Sequence, residues 1–275
     1  MNIKAVTFDL WATLLLEENG ADARRMKARC NNITKVLNGF GFDVSIQQVS
    51  TALAATTPSL LKIWELNRDV TTQEQIKLIV DNILRGMVTL KPELVKELSD
   101  AYVSPLFEVP PYLNPDTREL LHWLKEQNMK ITIICNTGRT PGSALRRFLE
   151  EEDISGYFDL MLFSDEVGIR KPDPQIFLMT AERINVKPCE IIHIGDDLKN
   201  DVWGARNAGF MTIHLSTETS RDMVAESDPT SLVSLSKLLG NVRKEEIIAD
   251  KTIPSLAKAV EAIESIDKSL VERAL

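Results

Sequence analysis

Residues 3–9 read Ile3-Lys4-Ala5-Val6-Thr7-Phe8-Asp9. The run from Ile3 to Phe8 is apolar and β-branched and stops at a carboxylate. That is the pattern of a buried strand delivering Asp9 at its C-terminal end. From about residue 16 to 109 the character changes to helix. Met26, Cys30, Ile33, Val36, Leu37 and Phe40 recur at three- and four-residue spacing, and Asn38-Gly39 reads as a stop. Ser45-x-x-Gln48 and Thr72-x-x-Gln75 resemble capping boxes, the second leading into an apolar face from Ile76 to Met87. Pro92 opens a further helical stretch through Tyr102.

After Pro110-Pro111 strands and helices alternate. Strands are expected at Ile131–Cys135, Leu160–Phe163, Ile191–Ile194 and Met211–Leu215. Helices are expected from Asn114-Pro115, Thr140-Pro141 and Asp173-Pro174, and over Asn200–Ala208, closed by Gly209. The tail carries helical stretches near Leu232–Leu239 and Leu256–Ile266. Alternation of this kind implies right-handed crossovers and a doubly wound, Rossmann-like parallel sheet. The expected organisation is an α/β core of residues 1–15 and 110–275, split by a helical insertion at 16–109.

Composition narrows the function classes. Of 275 residues, 44% are hydrophobic and 26% charged, the balance of a globular protein able to bury a substantial core. The formal net charge is −8, which repels phosphate backbones and anionic lipid, so neither nucleic acid nor membrane is an expected partner. Cys30, Cys135 and Cys189 form an odd, widely spaced set, which fits free thiols in a reducing compartment. The N-terminal residues lack the pattern of a signal peptide, and the expected location is cytoplasmic. Oligomeric state is not legible here.

In sheets of this type ligands bind at the C-terminal strand ends. Asp9 follows the first strand, Asn136 the second and Asp196 the fourth, with Asp197 and Asp201 close behind. Two like charges ~4 Å apart repel by about 4 kcal/mol at an effective dielectric of 20. Carboxylates gathered there must either bind protons or share a cation. Oxygen ligands alone suit Mg²⁺, a hard ion that brings phosphate oxygens with it.

Four motifs stand in order: Phe8-Asp9-Leu10-Trp11-Ala12-Thr13-Leu14; Cys135-Asn136-Thr137; Arg170-Lys171-Pro172-Asp173-Pro174; and Gly195-Asp196-Asp197-Leu198-Lys199-Asn200-Asp201. In order and spacing they resemble the haloacid dehalogenase (HAD) superfamily over roughly residues 1–215, and the insertion lies where that family's cap domain lies. The resemblance implies a hydrolase acting on a small phosphate ester, with Asp9 as the nucleophile that forms an aspartyl-phosphate intermediate. It implies that Lys171 keeps Asp9 ionised and neutralises the transferring group. It implies Mg²⁺ held by Asp9, Asp196 and the Trp11 carbonyl, with Asp201 or Asp197 completing the shell. Phosphate binding falls to Lys171, Cys135, Asn136, Thr13 and Trp11.

Two positions depart from the family pattern. Phosphatases of the family carry a second Asp two residues after the nucleophile as general acid and base, a group typically worth 10²–10⁴-fold; here Trp11 stands there. Haloacid dehalogenases carry an aromatic residue at that place, because halide needs no proton, and they work without metal. Cys135 replaces a hydroxyl donor, and Thr137 is placed to compensate. The alternatives are therefore a metal-independent 2-haloacid dehalogenase with Asp9 as nucleophile, or a binding protein that keeps the fold without turnover. His193 and His214 lie inside apolar strands and read as core residues. Arg139, just past the second strand, reads equally as an anion contact or a surface residue, and Arg24 and Arg25 as a solvated helix face.

Overall fold

The computed structural model describes residues 2–85, 91–216 and 247–274. Its centre is a strand of four buried residues, β1 (Ala5–Phe8). A two-residue strand, β2 (Leu15–Leu16), follows it and pairs antiparallel with β3 (Tyr112–Leu113). The other strands are β4 (Lys130–Cys135), β5 (Leu160–Phe163), β6 (Ile191–Gly195), β7 (Met211–Leu215) and β8 (Lys251–Ile253). Among the described residues they form with β1 one six-stranded sheet in the order β5-β4-β1-β6-β7-β8, every pair parallel.

One apolar layer, with Leu121, Leu145, Phe148 and Ile263, covers one face of this sheet. Ile176, Phe177, Ala205 and Phe210 lie in a separate cluster with Ala5 and Ile134. Strands covered on both sides carry no polar face, which is why they read as short continuous apolar runs. The expected doubly wound α/β sheet is what the chain forms.

Between β2 and β3 lie, among the described residues, five helices: α1 (Ala21–Gly39), α2 (Ile46–Glu65), α3 (Thr72–Leu84), α4 (Pro92–Val103) and α5 (Pro105–Glu108). The first four share a core of their own, including Ile33, Leu37, Leu53, Ile79, Leu98 and Tyr102, whereas Leu106 of α5 joins the core of the sheet. The Ser45–Gln48 capping box opens α2 as expected. The box that opens α3 is Thr71 with Glu74, one residue earlier than Thr72 with Gln75. Gln75 is buried and its amide is used elsewhere, donating to the Gly138 carbonyl at 3.0 Å and accepting from the Tyr102 hydroxyl at 2.6 Å. The β2–β3 pairing, too short to announce itself by periodicity, brings both connections of the insert to one place.

Beyond β3 the helices are α6 (Thr117–Glu126), α7 (Gly142–Glu151), α8 (Ser164–Val167), α9 (Pro174–Ile184) and α10 (Gly204–Asn207), followed by α11 (Ala259–Ala274). A π-helical stretch, Leu198–Trp203, precedes α10 where one α-helix was expected from Asn200. Leu256–Lys258 is a 3₁₀ turn ahead of α11, and β8 is an addition that three residues of sequence could not signal. The expected helix at Leu232–Leu239 lies outside the described residues. Among the described residues no helix is long and apolar enough to cross a membrane.

The insert is tied to the sheet by a buried contact. Asp69, between α2 and α3, accepts from Arg170 at 2.5 Å, Ser164 at 2.5 Å and Thr137 at 3.3 Å. The Arg170 guanidinium also lies 4.1 Å over the Trp64 ring. A buried ion pair with its remaining valences satisfied is costly to break, so it fixes the insert's position over the strand ends.

Candidate active site

β1 lies between β4 and β6, where the strand order reverses, and a crevice opens there by geometry. It is a cavity of about 190 Å³ between strand ends and insert, with Asp9, Trp11, Asn136, Lys171 and Asp196 on its wall. The Asp9 N–H donates to the Ile194 carbonyl at 2.9 Å, which pins the end of β1 to β6.

Lys171 is the hub. Its Nζ lies 2.6 Å from Asp9 Oδ1 and 2.6 Å from Asp201 Oδ1, and it is 3% exposed. Asn136 holds the loop that carries it: the amide Nδ2 donates to the Lys171 carbonyl, and the Lys171 N–H donates to Oδ1, both at 2.8 Å. Asn136, expected at the phosphate, thus spends its side chain on the backbone of the lysine.

The electrostatics follow from burial and these contacts. Burial, with Asp201 and Asp196 adding to it and Lys171 opposing, pushes Asp9 up to about 7. Burial also opposes the charge on Lys171, but Asp201 and Asp9 overcome it and hold the ammonium above its usual range. Asp201 stays well below the ordinary carboxylate range despite burial, because Lys171 and His193 stabilise its charge. His193 was read as a core residue and is buried, yet it reaches Asp201 Oδ1 at 3.3 Å through Nε2. Its Nδ1 lies 2.7 Å from the Thr7 hydroxyl, so two residues inside strands orient the carboxylate. Alternation within β6 could have pointed to it, since position 193 faces the side on which the helix after Gly195 packs.

Asp9, Asp196 and Asp201 each offer a ligand oxygen, all within 4.8 Å of one another. One ammonium among three such carboxylates leaves negative charge in a buried place, and an oxygen-only donor set of this size fits Mg²⁺. Asp197 takes a different part. Its Oδ1 accepts from the N–H groups of Lys199 and Asn200, both at 2.8 Å, capping the helical stretch that carries Asp201. Gly195 is compulsory here: a Cβ at this position would lie 2.3 Å from the Asp201 carboxyl.

Thr13 and Cys135 are not brought to the cavity. Thr13 is fully buried with its hydroxyl unpartnered, in the tight loop where Ala12 takes φ +57°. Cys135 is packed in the core, and burial pushes its thiol well above the ordinary value. Thr137 is engaged with Ser164, Asp69 and the Asp165 N–H rather than open to a ligand. Arg25 and Arg139 do reach the cavity, whereas Arg24 is exposed and paired with Glu18.

A parallel sheet with acidic strand ends at its switch point is the setting in which relatives are found. The family model described as a hydrolase, haloacid dehalogenase-like hydrolase, matches residues 3–209, and the chain belongs to that family. It is 36% identical over 134 residues to the phosphorylated carbohydrates phosphatase of Thermotoga maritima, a match covering 48% of this chain and 60% of that one. The first curated relatives are thus matched over only about half to three fifths of their length. Among solved structures, a HAD phosphatase of Thermococcus onnurineus has TM-score 0.59 and 22% identity, covering 95% of this chain and 98% of that one. A 2-haloacid dehalogenase of Pseudomonas syringae pv. Tomato has TM-score 0.65 and 18% identity, covering 96% and 99%. At these identities the structural likeness speaks for the fold.

Proposed function

We propose that this protein is a Mg²⁺-dependent phosphatase of small phosphate esters, working through an aspartyl-phosphate on Asp9. The observation that carries the reading is the buried cluster in which one lysine, 2.6 Å from both Asp9 and Asp201, is outnumbered by carboxylates. Buried carboxylates are costly without a cation, and this cost is justified where a cation and an anionic substrate enter together. The phosphatase names of its relatives point the same way.

In this reading Lys171 engages Asp9 Oδ1, and Oδ2 is the atom that attacks phosphorus. The P–O bond to the leaving group breaks as the Oδ2–P bond forms, and water later hydrolyses the acyl phosphate. Mg²⁺ held by Asp9, Asp196, Asp201 and the Trp11 carbonyl would neutralise the carboxylates and polarise the phosphoryl oxygens. Lys171 adds a fixed positive charge beside the transferring group. His193 and Asn136 keep Asp201 and Lys171 in place, and Asp197 serves through the cap it makes. Residues 16–109 act as a cap domain over the core of 1–15 and 110–275, excluding water and selecting the substrate. The free thiols of Cys30, Cys135 and Cys189 suit a reducing, cytoplasmic setting.

Trp11 sets the substrate preference by leaving group. An indole cannot protonate an alkoxide, so aryl phosphates are turned over faster than alkyl ones of similar size. The test is release of phosphate from an aryl phosphate with Mg²⁺ and with chelator. Release that needs Mg²⁺ is expected, and its absence under all conditions would sink the reading. The same Trp11 favours a second reading, dehalogenation of 2-haloacids by Asp9; halide release insensitive to chelator is its signature.

Gly195→Ala is expected to lower phosphate-ester turnover by about 10²-fold, the scale of a 1 Å displacement in an active site. The new methyl group must push Asp201 off Lys171. Unchanged kcat in a folded Gly195→Ala variant would show that Asp201 does not need its present position.

A further inference from the structure

The cavity is also lined by two buried arginines, Arg29 and Arg139. Arg139, in the loop after β4, is 7% exposed, and Arg29, on α1, is 1% exposed. Both line the cavity, and Arg29 Nη2 donates to the Arg139 carbonyl at 3.2 Å. The other buried cations of the cavity have acidic partners: Arg25 has Glu17, Arg170 has Asp69, and Lys171 has Asp9 and Asp201. Among the described residues, neither Arg29 nor Arg139 is in an ion pair.

The hydrogen-bond inventory of Arg139 is also incomplete. A guanidinium has five N–H donors. Nη2 donates to the Leu53 carbonyl at 2.9 Å and to the hydroxyls of Thr56 at 3.1 Å and Thr57 at 3.4 Å, all neutral acceptors. Nε and Nη1 are buried and have no partner. Arg29 places Nε on the Tyr102 carbonyl at 2.9 Å and its guanidinium 4.8 Å over the Tyr102 ring. Burial lowers the Arg29 pKa; Tyr102 and Asp22 oppose this, whereas Arg139 and Arg25 add to it, so the neighbouring guanidinium charges oppose one another. Native proteins seldom leave buried donors unspent, and a buried charge without a counter-charge is more costly still. The three contacts to Nη2 fix the planar guanidinium in one orientation at the cavity, with two of its nitrogens unspent.

We propose that Arg139, with Arg29 beside it, forms a second anion-binding subsite of this cavity, and that the substrate is a small phosphate ester bearing a second anionic group, a carboxylate or another phosphate. The proposal deepens the phosphatase reading and rests on it for the identity of the first group. Lys171 takes the reacting phosphate, and Arg139 takes the second anion. A volume of about 190 Å³ lies below the ~300–1,000 Å³ of drug-sized ligand sites and suits a small substrate.

The experiment compares three esters with the same two-carbon skeleton: 2-phosphoglycolate, 1,2-ethanediol bisphosphate and the neutral-tailed 2-hydroxyethyl phosphate. An aryl phosphate serves as the control for the chemistry. In the wild type at least one doubly anionic ester is expected to exceed 2-hydroxyethyl phosphate in kcat/KM by about tenfold or more, the scale of a charge-assisted hydrogen bond. Which one does so separates carboxylate from phosphate recognition. Arg139→Gln is expected to bring that ratio close to one, mainly through KM, and Arg139→Lys to recover part of it.

A ratio near one in a wild type that turns over the aryl phosphate overturns the subsite and leaves the phosphatase reading standing. If no phosphate ester is turned over, the phosphatase reading fails, and the subsite is judged by calorimetric titration with malonate. Binding that Arg139→Gln weakens about tenfold supports it; no binding, or equal binding by both proteins, overturns it. The wild-type ratio needs no variant, so a misfolded Arg139→Gln does not blunt the test.

Discussion

Asp9→Asn is expected to abolish phosphate-ester turnover, by on the order of 10⁴–10⁶-fold as for loss of other enzymatic nucleophiles, while leaving the fold intact. The amide keeps an oxygen that can accept from Lys171 Nζ, now 2.6 Å from Asp9 Oδ1. It removes the nucleophilic oxygen and one charge from the cluster. Because burial and the neighbouring acids push Asp9 up to about 7, its ionised form is disfavoured in the folded protein relative to the unfolded chain. The sign follows: above the ordinary Asp value near 3.9 the charge opposes folding, so the neutral isostere should melt no lower than the wild type in chelator at neutral pH. Sites kept for chemistry are commonly paid for in stability. Steady-state hydrolysis and thermal melts of the two proteins check both halves. Retained turnover in Asp9→Asn would remove Asp9 from the nucleophile's place.

Lys171→Met is expected to damage stability and activity together. The ammonium is 3% exposed and bridges two buried carboxylates, and no other described cation lies within ion-pair distance of Asp9. Breaking a buried pair by removing one partner costs about 3–5 kcal/mol, because the charges left behind are uncompensated. At 2–4 °C per kcal/mol for a larger domain, this lowers Tm by on the order of 10 °C. Turnover falls by about 10²–10³-fold, the effect of deleting one aligned electrostatic group. Mg²⁺ is expected to raise Tm more in Lys171→Met than in the wild type, since the variant cluster has more charge to neutralise. Melting curves with and without Mg²⁺ read this directly, and an unchanged Tm would mean that Lys171 does not hold the site together.

Much of the architecture was legible because it is locally encoded. Buried parallel strands must be short apolar runs, and the runs ending at Asp9, Cys135 and Ile194 name themselves. Asp173-Pro174 opens α9 with an N-cap bond from the Gln175 N–H at 2.9 Å, a device contained in three residues. Once the sheet is parallel, every strand-end residue is sent to one edge, which is why Asp9, Asn136 and Asp196 could be placed together from spacing alone. Strands such as β2, β3 and β8, two or three residues long, have no period to read and exist only through their partners.

The parts settled by tertiary structure are those in which partners are distant in the chain. Lys171 and Asp9 are 162 positions apart, and Arg29 and Arg139 are 110 apart. No local pattern tells whether such groups meet. The family resemblance implied Thr13, Cys135 and Asn136 as one phosphate-binding set, yet core packing takes the first two away and the lysine backbone claims the third. The resemblance left Asp197 and Asp201 as alternatives for the metal, and helix geometry used one as a cap and aimed the other at Lys171. Thus residue types and strand ends set which chemistry is possible, through hydrophobic periodicity and capping. The three-dimensional fold alone decided which charges face one another, because electrostatic interaction depends on distance in space and on burial, and neither is written in the order of the chain.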